Sequence, residues 1–286
     1  MLVDSGPLIG LRVSISRNPW RIGPAWAVLA GAIAAGAPFD SGVALLRVAG
    51  SVVLADCAWG AVWAALPGDA PGGRPALDWS LPYSGDGAPI RRILSGLSSL
   101  NPASGCLEFA ATVGLAVGLA ALLGILPLVL SVAVVAVALV SQAVAQRGAY
   151  PALGHALLVF ALPWSLGLAL SWRSGASLAV PLIVGGAFTL LQWGAQRAPL
   201  SGTAGIWVGE VAVLVAMVGL RIPWAVCAAS VLMLPASWWV RRGSILRDGK
   251  RSAGISTIAM ALSRSQVWWW SVLLLAALAL RPLSNI

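Results

Sequence analysis

The chain has 286 residues, of which 59% are hydrophobic and 9% are charged. Soluble domains carry about 25% charged residues, so this composition excludes a soluble globular protein and predicts one embedded in a membrane. The net charge of +9 would favour nucleic acid binding in a soluble protein. Here Lys and Arg are interpreted as signals of membrane topology, and no nucleic acid partner is expected.

Nine apolar segments are long enough to cross about 30 Å of hydrocarbon. They cover approximately residues 22–38, 43–66, 106–122, 125–143, 153–171, 177–194, 204–220, 223–240 and 266–281. Tight turns are expected at "GILP" (124–127) and "RIPW" (221–224), because Gly and Pro favour sharp reversals. The fold prediction is an all-α polytopic membrane protein with one transmembrane domain over residues 1–286.

The distribution of basic residues predicts the orientation. With a cytoplasmic N-terminus, fourteen of the 18 Lys and Arg residues fall in cytoplasmic segments, three fall in outer segments, and Arg47 lies within span two. The positive-inside rule then places the N-terminus inside and the C-terminus outside, across a bacterial-type inner (plasma) membrane. An alternative interpretation makes residues 1–37 a cleaved signal peptide, because "AIAAGA" offers small residues after an apolar stretch.

Two long cytoplasmic loops carry amphipathic segments. The first loop, 67–105, continues from a Gly- and Pro-rich start into "APIRRILSGLSSL", whose apolar residues have helical spacing. The second loop, 241–265, carries six basic residues and one acid. Attraction to anionic lipid head groups accounts for both loops. The alternatives are a lid over a cytoplasm-facing cavity for the first loop and an acidic ligand for the second.

Cysteine and histidine are too sparse for most metal centres. Cys57, Cys106 and Cys227 form no CxxC pair, which argues against a disulfide framework and against a thiolate metal site. His155 is the single histidine of the chain, so it cannot build a histidine-based metal or haem centre by itself.

Acidic residues inside the apolar segments are the main functional candidates. Asp56 stands in "SVVLADCAWGAVWAAL", where an ionised carboxylate costs roughly 2.5–3.5 kcal/mol on insertion scales. Trp59 and Trp63 follow it at spacings that return to the same helix face. Glu108 begins span three, and Glu210 lies within span seven. Together the acids predict a polar cavity open to the cytoplasm; the alternative is that Asp56 and Glu210 only form hydrogen bonds between helices.

The architecture and one motif resemble the UbiA superfamily of intramembrane prenyltransferases. The first motif of that family, N-D-x-x-D-x-x-x-D, falls on "ADCAWGAVW", and its downstream Arg-Pro pair falls on Arg74 and Pro75. Asp56 stands at the first Asp position of the motif, whereas Trp59 and Trp63 occupy the other two. The second Asp-rich motif of the family belongs after span six, where this chain has "QWGAQRAPLSGTAG" without an acid.

The resemblance implies a helical bundle in which Asp clusters hold Mg²⁺ ions that bind a prenyl diphosphate. Mg²⁺ requires oxygen ligands in near-octahedral geometry, so a single remaining carboxylate implies that diphosphate-dependent transfer is lost or altered. If a metal binds, Asp56 is the expected ligand and Mg²⁺ the expected ion, although one carboxylate makes a weak site. No catalytic residue is assigned. The candidate ligand-binding residues are Asp56, Trp59, Trp63, Arg74, Glu108 and Glu210.

The expected function is that of a UbiA-like membrane protein that binds an isoprenoid, quinone or pigment-type lipid. Its activity is expected to be non-catalytic or altered, alone or as a subunit of a membrane complex, and membrane lipids are its other expected partners. One alternative is an active prenyltransferase with unusual metal ligation. Another is a small proton-coupled transporter that uses Asp56 and Glu210, which the lack of a clear internal repeat disfavours.

Overall fold

The computed structural model describes residues 23–36, 41–64, 104–147, 151–170, 178–219, 223–249 and 254–281. These residues form nine helices and contain no strand, so the all-α prediction is confirmed for the described part of the chain. The helices are α1 (Gly23–Ala34), α2 (42–64), α3 (Ser104–Leu123), α4 (Ile125–Gln146), α5 (Ala152–Leu170), α6 (Ala179–Ser201), α7 (Ala204–Gly219), α8 (Pro223–Gly249) and α9 (Gly254–Leu280).

The length and composition of these helices indicate a multi-pass membrane protein. Four helical segments are long and apolar enough to cross a membrane, namely Gly42–Trp63, Ile125–Gln146, Ala152–Leu170 and Pro223–Arg242. Shorter apolar segments are Gly23–Ala34, Phe109–Leu123, Ala204–Gly219 and Arg264–Leu280. Many large apolar side chains face outward, including Leu122 at 86% exposure and Leu46 at 73%. Large exposed apolar surfaces are typical of proteins whose solvent is lipid or another apolar partner.

Each predicted span coincides with one of the nine helices, and the main differences lie at the helix ends. Helix α8 continues to Gly249 and α9 begins at Gly254, so most of the predicted loop 241–265 is a helical continuation of the flanking spans. Residues 67–103 of the first predicted loop lie outside the described residues, as do residues 1–22 of the segment considered as a signal peptide.

Glycines at positive φ allow two of the tight reversals. Gly124 separates α3 from α4 as a single residue with a φ of 129°, which realises the turn predicted at 124–127. Gly202 ends α6 with a φ of 84°. A side chain at either position would be strained, because L-residues rarely adopt this region. Both hairpins therefore depend on glycine.

The buried core has two parts that meet at α1 and α5. One part unites buried side chains of α1, α5, α6, α7, α8 and α9. The other part unites buried side chains of α1, α2, α3, α4 and α5. Helices α1 and α5 contribute to both, and they pack closely along each other. They thus form the centre of the bundle, between the helix carrying Asp56 and the helices that follow α5.

Small residues explain how the central helices approach so closely. A Cβ atom added at Gly31 of α1 would overlap the backbone carbonyl of Trp164 in α5, and one added at Gly167 would overlap the carbonyl of Val28. Gly194 of α6 packs in the same way against Gly205 of α7. Close backbone contacts through glycine are a main source of packing energy between helices in membranes.

Candidate functional site

Asp56 lies in a π-helical turn, Leu54–Ala58, within α2. The backbone N–H of Trp59 donates to the carbonyl of Leu54, five residues earlier, where an α-helix uses the residue four earlier. Such single π turns inside α-helices are rare and occur frequently at functional sites. The backbone around Asp56 therefore departs from regular helix at the residue that the sequence marks as a candidate.

One carboxylate oxygen of Asp56 is left without a partner. Its Oδ1 atom is buried and accepts no hydrogen bond from any of the described residues. The hydroxyl of Ser51, five residues earlier and fully buried, also lacks a partner within the described chain. Arg47, nine residues before Asp56 on α2, is exposed. The surroundings of Asp56 come mainly from α1 and α3, which pack against the π turn.

The two tryptophans that follow Asp56 reach different neighbours. Trp59 is only 2% exposed, and its indole N–H donates to Ser131 Oγ of α4 at 2.9 Å. Trp63 is half-buried and meets the imidazole of His155 edge-on, with 5.8 Å between the ring centroids. Trp59 thus anchors α2 to α4, whereas Trp63 faces α5.

His155 contacts Trp63 and is not among the predicted site residues. The residue is buried at the start of α5, two residues before a second π-helical turn, Leu157–Ala161. Val159 of that turn also packs against Trp63. A polar side chain inside an apolar span was the available signal. The count of one histidine by itself argues only against a histidine metal centre.

Asp56, Trp63 and His155, which we call the α2–α5 face, combine three chemically different groups. The carboxyl group can form a hydrogen bond to a polar head group, and the indole can contact an apolar or aromatic part of the same ligand. Asp56 lies in the π turn of α2, Trp63 follows it by seven residues on the same helix, and His155 of α5 contacts Trp63. The arrangement suits a ligand with a polar end and an apolar body.

Glu210 is held by two hydrogen bonds to other helices. Its Oε1 atom accepts the indole N–H of Trp269 in α9 at 3.1 Å, and its Oε2 atom accepts the hydroxyl of Ser237 in α8 at 2.8 Å. The side chain is 4% exposed. These contacts match the interpretation of Glu210 as a hydrogen-bonding link between helices. Its partners lie on α8 and α9, whereas the π turn of Asp56 packs against α1 and α3, so the two acids belong to different parts of the bundle.

The other two predicted site residues, Glu108 and Arg74, have side chains outside the part of the chain that the structure describes. Glu108 lies near the beginning of α3, and its side chain is outside the described set. Arg74 lies outside the described residues altogether. Across the described ranges, no group of three or more His, Cys, Asp or Glu side chains could hold a metal ion. The predicted Mg²⁺ contact at Asp56 therefore stays a prediction.

Comparison of the chain with family models, curated proteins and solved structures finds no match. The resemblance to the UbiA superfamily accordingly stays a prediction that depends on the spans, the motif around Asp56 and the Arg-Pro pair.

Proposed function

We propose that the protein is a UbiA-like integral membrane protein that binds an isoprenoid, quinone or pigment-type lipid at the α2–α5 face. The ligand's polar end contacts Asp56, and its ring or chain contacts Trp63. In this proposal the protein does not carry out ordinary prenyl transfer, and it acts alone or as a subunit of a membrane complex. It lies in the inner membrane with a cytoplasmic N-terminus and an outer C-terminus.

The unpartnered Oδ1 atom of Asp56 is the observation that carries this proposal. A buried polar atom without a hydrogen bond costs roughly 1–3 kcal/mol, and polar groups in membrane spans are commonly functional. The described chain supplies donors elsewhere, such as Trp59 to Ser131 and Trp269 to Glu210. It supplies none to this atom. A ligand that hydrogen-bonds to the Asp56 carboxyl group would remove the deficit.

The replacement of acids by tryptophan supports a neutral or weakly polar ligand over a diphosphate. Prenyl diphosphate transfer requires metal ions that neutralise the leaving group, and several carboxylates are needed to hold them. Trp59 and Trp63 stand where the family motif has its second and third Asp. An aromatic face favours contact with an isoprenoid chain or with a planar ring.

The proposal is tested by identifying what co-purifies with the protein in a mild detergent. Wild type, Asp56→Asn and Trp207→Phe are purified in parallel, and the organic extract of each is analysed by mass spectrometry. Trp207 is 40% exposed on α7, so Trp207→Phe controls for a substitution outside the proposed site. We expect one isoprenoid, quinone or pigment in near-stoichiometric amount in wild type and Trp207→Phe, and a clear reduction in Asp56→Asn. The same bulk phospholipids in all three samples would refute the proposal.

A second measurement separates binding from catalysis. Wild type and Asp56→Asn are incubated with a prenyl diphosphate and Mg²⁺, and release of diphosphate is followed. The proposal predicts no turnover above background in either sample. Turnover in wild type that disappears in Asp56→Asn would replace the non-catalytic proposal with the active prenyltransferase.

A further inference from the structure

Two arginines from neighbouring helices meet over one tryptophan ring. The guanidinium of Arg264 in α9 lies 4.3 Å from the centre of the Trp239 ring in α8, and the guanidinium of Arg242 lies 6.0 Å from the same ring. Arg242 also lies 5.2 Å from the ring of Trp238, which meets Trp239 edge-on with 4.8 Å between centroids. We call Arg242 and Arg264 the arginine pair. Both guanidiniums lie within 6.0 Å of one ring centre, so α8 and α9 bring two positive charges to one place.

The charge of the arginine pair is not neutralised within the described part of the chain. Both side chains are exposed, and neither forms an ion pair with a described carboxylate. Glu210, the acid that contacts α8 and α9, is buried, and its oxygens accept from Ser237 and Trp269. Residues 241–264 contain six basic residues and one acidic residue. The pair therefore presents positive charge to a group outside the bundle.

An exposed apolar face of α8 leads to the arginine pair. Val231 is 64% exposed, Leu234 is 68% exposed and Trp238 is 52% exposed. Arg242 follows Trp238 by four residues, so spacings of three and four keep these side chains on one side of the helix. The face changes along its length from aliphatic to aromatic to cationic. A phospholipid changes in the same order, from acyl chain through the glycerol region to phosphate.

The arginine pair lies where the apolar parts of both helices end. The apolar segment of α8, Pro223–Arg242, ends at Arg242, and the apolar segment of α9, Arg264–Leu280, begins at Arg264. Tryptophan is enriched at this level of membrane proteins, beside the head groups. A guanidinium binds phosphate through paired N–H groups. Contact with an indole restricts the guanidinium before a ligand arrives, which lowers the entropy lost on binding.

We propose that the arginine pair and the exposed face of α8 form a binding site for one anionic phospholipid. The phosphate lies between Arg242 and Arg264, and an acyl chain lies along Leu234 and Val231. General attraction of a basic segment to an anionic membrane depends on the number of charges, whereas this site also depends on which residues carry them. A zwitterionic head group brings its own cation to the arginines and binds more weakly. The site does not involve Asp56, so it goes beyond the proposed function.

The test compares two lipids with identical chains and different head groups. Delipidated protein in a mild detergent is mixed with dioleoyl-phosphatidylglycerol or dioleoyl-phosphatidylcholine, and native mass spectrometry measures the dissociation constant of the first bound lipid. One basic residue near an anionic surface contributes a factor of about five to binding. We therefore expect phosphatidylglycerol to bind about twentyfold more tightly than phosphatidylcholine. Equal binding of the two lipids would overturn the proposal.

A soluble competitor separates a lipid from a free phosphate. Glycerol 3-phosphate carries the charged group without acyl chains, and it is added at the concentration of the phosphatidylglycerol. We expect it to leave the bound lipid in place, because it makes no contact with the apolar face of α8. Displacement of the lipid would identify the ligand as a soluble phosphate and overturn the proposal.

Glutamine variants assign the preference to the arginine pair. Arg242→Gln and Arg264→Gln are each expected to lower the preference for phosphatidylglycerol about fivefold. Arg197→Gln on α6 is the matched control, because Arg197 is also exposed and lies 5.0 Å from the ring of Trp193. It is expected to keep the wild-type preference. Equal losses in all three variants would show that the total surface charge attracts the lipid, and the site would be wrong.

A lysine variant tests the geometry of the site with the charge kept. Arg264→Lys retains one positive charge but loses the planar group that pairs with phosphate. We expect it to fold with the wild-type melting temperature in the absence of lipid and to bind phosphatidylglycerol more weakly than wild type. A wild-type preference in Arg264→Lys would mean that charge alone decides binding, which would overturn the site.

The Asp56→Asn variant separates this proposal from the proposed function. It is expected to keep the wild-type preference for phosphatidylglycerol even where it no longer co-purifies with an isoprenoid, quinone or pigment. If Asp56→Asn removes the preference and Arg264→Gln does not, the lipid binds at the α2–α5 face and the arginine site is wrong. If none of those ligands co-purifies with wild type but the preference is present and depends on Arg264, only the proposed function fails.

Discussion

At the scale of single residues, Glu210 shows how a membrane-embedded acid can be structural. Both of its oxygens are occupied, one by Ser237 and one by Trp269, and the side chain is buried. The carboxyl group therefore links α7 to two further helices. Asp56 differs because its buried Oδ1 atom has no partner among the described residues. The two embedded acids therefore differ in their hydrogen bonding, and only the neighbouring helices show the difference.

Replacing Ser237 tests the structural role of Glu210. Ser237→Ala removes the donor to Oε2, and we expect the free energy of unfolding to fall by about 0.6 kcal/mol, the average for hydrogen bonds between helices in a membrane protein, with an upper limit of about 1.7 kcal/mol. Unfolding in SDS and detergent mixtures, followed by circular dichroism, measures this change. Ser230→Ala on the same helix is the matched control, because among the described residues Ser230 bonds only to the carbonyl of Val226 one turn earlier. Equal losses in both variants would contradict the assigned role.

The bond between Trp59 and Ser131 permits a double-mutant cycle. Trp59→Phe and Ser131→Ala each remove one partner, so each is expected to lower the free energy of unfolding. The double variant should lose less than the sum of the two, with a coupling of about 0.6–1.7 kcal/mol. Trp207→Phe, at an exposed position, controls for the loss of an indole. Strict additivity of the two changes would mean that the bond contributes nothing to stability.

The sequence predicted which polar residues enter the bundle but not what they contact. Asp56 and Glu210 are recognisable as acids within apolar segments. Trp59 contacts α4 and Trp63 contacts α5. Because both helices are distant from these tryptophans along the chain, the sequence did not predict that the two would have different neighbours. The arginine pair was not predicted either, because it depends on how α8 packs against α9.

At the scale of helices, apolar runs predicted well where the helices of the described residues lie. The nine predicted segments all coincide with helices, because long apolar runs must satisfy their backbone hydrogen bonds internally in lipid. The two π turns were not predicted. Leu54–Ala58 and Leu157–Ala161 contain ordinary helix-forming residues. A π turn differs from an α turn in its backbone hydrogen bonds and not in its amino-acid composition, so the sequence carries no signal for it.

The contact between α1 and α5 is expected to be sensitive to a single methyl group. Gly31→Ala places a Cβ atom against the carbonyl of Trp164, and backbone cannot move aside as a flexible side chain can. We expect a lower melting temperature, measured by fluorescence-detected size-exclusion chromatography after heating. Gly118→Ala on α3 is the control, because nothing lies within 4 Å of its added Cβ. That control should be neutral or stabilising, since Ala exceeds Gly in helix propensity by about 1 kcal/mol. A Gly31→Ala variant as stable as Gly118→Ala would contradict close packing there.

At the scale of the whole molecule, contacts between arginine and tryptophan concentrate at one end of the bundle. The guanidinium of Arg264 in α9 lies 4.3 Å from the ring of Trp239 in α8, and that of Arg242 lies 5.2 Å from Trp238. On α6 the Arg197 guanidinium lies 5.0 Å from the Trp193 ring. The alternating direction of α6 to α9 brings all three contacts to the same end. Tryptophan and basic residues together are typical of a cytoplasmic membrane interface, which supports the proposed orientation.

Cysteine labelling on α8 tests that orientation directly. Trp224 and Arg242 are both exposed, and they lie 18 residues apart on this helix, a rise of about 27 Å at 1.5 Å per residue. Cys57, Cys106 and Cys227 are first replaced by alanine, and Trp224→Cys or Arg242→Cys is then introduced. An impermeant maleimide added to intact cells is expected to label the cysteine at 224 and not the cysteine at 242. Both should react after permeabilisation. The reverse pattern would invert the orientation, and labelling of both in intact cells would show that α8 does not cross the membrane.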